Sequence, residues 1–180
     1  MGTRNVTIVK LDSKIKIAQY GQWDGYPSGQ GLTVLEFLKE NNIGSFKKVL
    51  KNQVRWLIGK AKQTLTDYYK EIGVEGQWIS MDKAELVKQK FPLLSRDNGA
   101  AVLGMIMELS KTEDKLYIIN ESVYAKDGFG CEWCYVIDLD TNTLEVYNGN
   151  IGGEPLKSYN IDNLPTEEIF VEELESLHEA

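Results

Sequence analysis

The residues best suited to recognition are concentrated in one stretch, Gln19-Tyr-Gly-Gln-Trp-Asp-Gly-Tyr-Pro-Ser-Gly-Gln-Gly31. Its glycines let the backbone come close to a bound molecule. Tyr20, Trp23 and Tyr26 offer flat faces for stacking on a planar ring, while Gln22, Asp24 and Gln30 carry groups that can hydrogen-bond the ring's edge. Ser28 and Gly29 stand just before an apolar run with helical spacing, so the free amides of a helix start can receive an anionic or carbonyl group. Such a loop is a natural wall for a small-molecule site. The same composition suits a tight crossover whose aromatic rings seal the core, and the residues alone leave both readings standing.

Arginine is scarce, with Arg4, Arg55 and Arg96 among 20 basic residues. Arg4 flanks the first strand, and Arg96 precedes Asp97 at the start of the most apolar helical run. A cation at a helix N-terminus opposes the helix dipole, so Arg96 calls for a carboxylate such as Asp24 or Asp97, or for an anionic ligand. Arg4, Tyr20, Trp23, Asp24, Tyr26, Ser28, Gln30, Arg96 and Asp97 therefore form the candidate ligand-binding set.

Catalytic options are few. His178 is the only histidine and lies close to the end of the chain, which excludes Ser-His-Asp and Cys-His chemistry. Cys131 and Cys134 form a CxxC, but it leads into a strand pattern instead of a helix, and the ligands for a structural zinc are missing. No phosphate-binding or dinucleotide glycine motif follows a strand, so no cofactor is expected. Asp138 and Asp140, two apart in a strand and so on one face, are a weak pair for a cation or for acid work. An acid/base hydrolase on Asp24 and Asp97 is a further minor option. The economical nucleophile is Thr3 acting through its own amine, which requires loss of both Met1 and Gly2. Binding without chemistry suits this chain better than catalysis.

The 180 residues carry a net charge of −7, and 42% are hydrophobic, the balance of an ordinary globular chain. From Ser158 onward there are acids and no lysine or arginine, so the excess charge is local: residues 1–165 read as one globular unit and 166–180 as an acidic tail. An acidic end on a neutral body argues against direct nucleic-acid binding, which draws its affinity from Lys and Arg on phosphates. No leader pattern or long apolar run is present, so a cytoplasmic protein with reduced thiols and no membrane contact is expected.

These residues need positioning elements. Val6 and Ile8, then Ile15 and Ile17, alternate with polar residues around Asp12-Ser13 and predict a hairpin. Gly21–Gly31 reads as a loop, and Leu32, Leu35 and Leu38 as a helix ended by Asn41-Asn42. Ser45 is expected to cap a second helix whose apolar stripe runs from Phe46 through Val54 to Ile58 and resumes after Gly59 at Leu65, Tyr68 and Ile72. Ser80 opens another to about Lys90, and Asp97 or Asn98 opens the most apolar one, to near Lys111. Strands return at Leu116–Asn120 and in a hairpin of Trp133–Leu139 and Thr143–Asn148, while Glu167–Leu177 fits either a short strand or an acidic amphipathic helix. The pattern predicts α+β: one antiparallel sheet from the terminal strands packed against a central helical segment.

Met1-Gly-Thr-Arg-Asn5, Ala18–Gly31, Ser95–Ala100 and Glu132–Tyr147 together resemble the marks of an uncharacterised protein family of phage and prophage genomes. The resemblance implies an accessory gene, with anti-defence roles a common kind. It favours a protein that sequesters a small polar, nucleotide-like ligand and so antagonises host defence signalling. Two alternatives stand beside it: a protein–protein inhibitor of a host enzyme acting through the acidic surface, with a host defence protein among the partners the resemblance admits, and an N-terminal-nucleophile hydrolase on Thr3. Self-association is left open.

Overall fold

The computed structural model describes residues 2–126 and 131–180. Two hairpins build its sheet. β1 (Asn5–Leu11) and β2 (Lys14–Gly21) turn at Asp12 and Ser13, both with positive φ, 54° and 60°. This is the twist-matched two-residue turn in which Asp is well tolerated. β5 (Trp133–Asp138) and β6 (Thr143–Asn148) form the second hairpin. They are joined by β7 (Lys157–Asn160), which the sequence pattern did not suggest.

The strand order is β2-β1-β5-β6-β7. The expected antiparallel sheet is corrected to a mixed one, because β1 and β5 run parallel, from Asn5 opposite Trp133 to Lys10 opposite Asp138. Each hairpin supplies an apolar inner strand, and pairing these two in the same direction buries both while leaving the more polar β2 and β7 at the edges. The α+β class stands.

Helices cover one face of this sheet. They include α1 (Leu32–Glu40), α2 (Ile43–Asn52) and α5 (Val102–Leu109), whose Leu35, Phe46 and Leu103 meet Val9, Tyr135 and Ile137 in one core. The cap of α2 is Asn42, whose side chain accepts from the Ser45 amide at 2.9 Å, so Ser45 sits inside the helix. The long apolar stripe is also broken. β3 (Val54–Trp56) leaves the helix and pairs in parallel with β4 (Leu116–Ile118) in a separate two-stranded sheet. The remaining helices are α3 (Gly59–Glu71), α4 (Met81–Lys90) and the short α6 (Val123–Lys126), and neither α3 nor α4 has a buried residue. On the sheet's other face Val6, Ile8, Tyr20, Cys134 and Val136 pack under Ala125. Among the described residues no helix is long and apolar enough to cross a membrane.

The acidic end is part of the fold. α7 (Glu167–Glu179) is capped by the Thr166 hydroxyl, and Phe170 and Leu174, one turn apart, are fully buried in the helical core. Its glutamates are exposed except Glu173, which is half-buried and accepts from the Tyr159 hydroxyl at 3.0 Å. Asp138 and Asp140 are not a pair on one strand face, since β5 ends at Asp138. Asp138 Oδ1 accepts from the amides of Asp140 and Thr141, while Asp140 accepts from the amides of Asp12 and Ser13, both at 2.8 Å, and so ties one hairpin's turn to the other's.

Two outcomes are expected. Phe170→Ala should lower unfolding free energy by about 3–5 kcal/mol in denaturant titrations; an appendage would tolerate it. The two backbone amides hold the Asp140 carboxyl below its ordinary value, so its contribution is present above the ordinary carboxylate range and lost as pH falls through the lowered value. Asp140→Asn should therefore melt below the parent at neutral pH, with the two curves converging in acid.

Candidate functional site

The aromatic loop is fixed from below by side chains of the sheet. The Asn5 amide donates to the carbonyls of Gly21 and Trp23 at 3.1 and 3.2 Å, and the buried Tyr135 hydroxyl donates to the Gly25 carbonyl at 2.7 Å. Burial pushes the Tyr135 phenol well above its ordinary value, so it remains a donor. The Gly25 amide in turn donates to Thr3. Residues Pro27–Gly31 form a single wide turn closed by Gly31 N–H to the Tyr26 carbonyl at 3.2 Å, and this turn feeds α1. A Cβ at Gly29 would lie 2.3 Å from the Asp24 carbonyl, so close approach within the loop explains that glycine. Neither Asn5 nor Tyr135 was signalled by sequence pattern, because each reads as an ordinary strand residue.

Trp23 and Tyr26 do not seal the core: they are 55% and 52% exposed and point outward. Gln30 is structural, its Oε1 accepting from the Ala100 amide at 2.7 Å at the start of the turn that leads into α5. Asp24 has an exposed side chain and a left-handed backbone, with its carbonyl accepting from Gln30. Ser28 is exposed on the wide turn, and exposed Asp97 borders an apolar hollow beside α4.

A groove of about 590 Å³ opens at the end of the sheet where β1 and β5 begin and β6 ends. Its walls are Thr3, Tyr26 and Pro27 on one side and Glu175, His178 and Glu179 of α7 on the other, with Glu132, Trp133, Asn148 and Gly149 between them. The His178 ring tilts against Trp133 with centroids 5.2 Å apart. The groove is acidic, and the negative end of the α7 dipole adds to its carboxylates. Among the described residues no group of three His, Cys, Asp or Glu side chains could hold a metal ion; the carboxylates Glu132, Glu175 and Glu179 give the groove a negative potential that favours positive charge or a hydrogen-bond donor. Arg4 borders this site through Glu132, at 3.4 Å.

Arg96 belongs to a second cluster at the β2 edge. It pairs with neither Asp24 nor Asp97: its guanidinium lies over the Tyr20 ring at 5.4 Å and donates to Gln22 Oε1 at 3.5 Å. The same Gln22 oxygen accepts from the Tyr20 hydroxyl at 2.6 Å. Glu121 accepts from the Tyr20 amide at 2.6 Å. Burial raises its carboxyl above the ordinary value, against the pull of that amide and of the Arg96 charge. Tyr124 tilts on Tyr20 at 4.9 Å. Tyr20 is buried, so its ring is already occupied by Arg96 and Tyr124.

The sequence-derived set is thus divided. Tyr26 lines the groove, with Arg4 at its margin; Tyr20 and Arg96 join the β2-edge cluster; Gln30 holds the scaffold. Of the groove's other residues, Pro27 adjoins Tyr26, Thr3 is the nucleophile candidate, and the rest come from three distant segments that carry no shared sequence signal. Cys131 and Cys134 are free, buried thiols with sulfurs 2.7 Å apart, and their mutual contact and burial push the Cys134 thiol far up. No known family model, curated protein or solved structure matches the chain.

Removing the Tyr135 hydroxyl tests the scaffold. Tyr135→Phe leaves a buried carbonyl unpaired and should cost about 1–3 kcal/mol, read by denaturant unfolding, with a change in the quenching of Trp23 as the loop loosens.

Proposed function

We propose that this chain binds and holds a small polar ligand, without chemistry, in the groove between Tyr26 and the last turns of α7. The observation that carries the reading is the convergence of the exposed Tyr26 ring and of the His178 ring, which covers the buried Trp133, with the Asn148 amide and carboxylates in one concavity of small-ligand size. The rings suit a planar group. Asn148, Glu132, Glu175 and Glu179 suit its donors or positive charge. A nucleotide-like ligand fits with its base inside the groove and its phosphates outside, toward Arg4, because the interior carboxylates repel them. In a phage-type accessory protein such sequestration would withhold the ligand from host defence signalling.

Thr3 lines the same groove, which favours the nucleophile reading as the alternative. Gly2 counts against it. A Cβ there would lie 2.4 Å from both the Trp23 ring and the Gln22 carbonyl, so Gly2 is fitted closely against the aromatic loop. Met1 lies outside the described residues.

Native mass spectra of gently purified protein should show a small-molecule adduct that denaturation releases, and the intact mass should retain Gly2. The released compound should raise the melting temperature of the parent chain. Tyr26→Ala, at an exposed position, should abolish that rise with little change in the melting of the empty protein. An equal rise in the variant would remove the groove from consideration, and an intact mass beginning at Thr3 would replace binding by catalysis.

A further inference from the structure

The net charge of −7 conceals a strong segregation. Between residues 41 and 66 the chain carries Lys47, Lys48, Lys51, Arg55, Lys60 and Lys62 and no acid, whereas α7 carries glutamates and no lysine or arginine. The tertiary structure adds further cations to the basic side. Two adjoining hollows of about 260 and 430 Å³ share Arg55 and Trp56. Together they are lined by Lys14, Lys16, Lys51, Arg55, Lys60 and Lys115, with no carboxylate in either lining.

Three of these cations have structural work. Lys51 pairs with Asp12 at 3.3 Å, and Arg55 and Lys115 donate to the last carbonyls of α2, with the Lys115 ammonium 2.9 Å from the Asn52 oxygen. Lys14, Lys16 and Lys60 make no such contact among the described residues. They come from β2 and the start of α3, so neither a shared helix cap nor a local pairing gathers them. Between the cations lie two rings, the half-buried Trp56 and Tyr117, which is 39% exposed.

We propose that this groove binds single-stranded nucleic acid. Cations spaced along a trough, with exposed rings between them, match a phosphodiester backbone whose bases stack on aromatic faces. The concave, ring-bearing surface suits a flexible strand whose unpaired bases can reach the rings. The low whole-chain charge does not oppose this, because screening at physiological salt confines each charge to about 8 Å.

Fluorescence anisotropy of a labelled oligothymidylate of about 20 nucleotides tests the proposal on the full chain. With the three unpaired lysines engaged, log affinity should fall with log salt at a slope of about −2, a loss of about 20-fold from 50 to 200 mM. The combined Lys14→Ala, Lys16→Ala and Lys60→Ala variant should lose that slope, and Tyr117→Ala should bind at least about fivefold more weakly. Circular dichroism melting confirms that each variant is folded, and Tyr26→Ala, in the other groove, should bind the strand as the parent does. Three results overturn the proposal: no binding at low salt, binding that the folded triple variant retains, or self-association abolished by the triple variant without oligonucleotide binding. The last would assign the groove to α7 of a second copy.

Discussion

The parallel ladder between β1 and β5 joins residues 128 apart in sequence, Asn5 to Trp133, and the positions of the aromatic loop and of the acidic groove follow from it. With the two inner strands side by side and starting at the same end of the sheet, Thr3 and Arg4 come beside Glu132 and Trp133, and Tyr135 comes under the aromatic loop. An antiparallel pairing would send the start of β5 to the far end of the sheet. The loop would then lose its hydrogen bond from Tyr135, and the groove would lose its floor. α7 depends on the same arrangement, because Phe170 packs against the core that Tyr135 centres, and this packing brings His178 over Trp133.

Charge is arranged around that frame with little pairing across it. The described ion pairs, such as Arg4 with Glu132 and Lys157 with Glu173, are surface contacts of small individual worth. The acids of α7 face outward and toward the sheet end, while the cations of β2, α2 and α3 collect around β3. The C-terminus of α2 supplies one physical reason: its exposed carbonyls draw Arg55 and Lys115 to a common point. The result is a fold of net charge −7 with two surfaces of opposite sign, which a single net charge cannot describe.

Much of the fold was legible because strong local patterns produced it. The alternation around Asp12-Ser13, the apolar spacing of α1, the Ser80 start of α4 and the hairpin of β5 and β6 are all decided within a few residues. Elements failed where a distant partner decided them. Val54–Trp56 continues a helical stripe on paper, yet it is drawn into a strand by Leu116–Ile118. β7 is four residues long, with a polar pattern that only its neighbour β6 makes a strand. The fate of Glu167–Leu177 turned on Phe170 and Leu174, whose spacing fits a helix once a core exists to receive them.

The candidate site divides in the same way. Sequence alone determined that the chain is α+β and that a glycine-rich aromatic segment connects the first hairpin to α1, since these follow from composition and short-range pattern; Gly21 itself closes β2 and Pro27–Gly31 is a helical turn. Tertiary structure decided that Trp23 and Tyr26 face outward, that Arg96 lies over Tyr20 instead of pairing with an acid, and that Glu132, Asn148 and His178 share one groove with Tyr26. It also gathered Lys14, Lys60 and Lys115 around Arg55. Side-chain direction and long-range proximity are set by strand pairing and core packing, and these are properties of residues far apart in the chain.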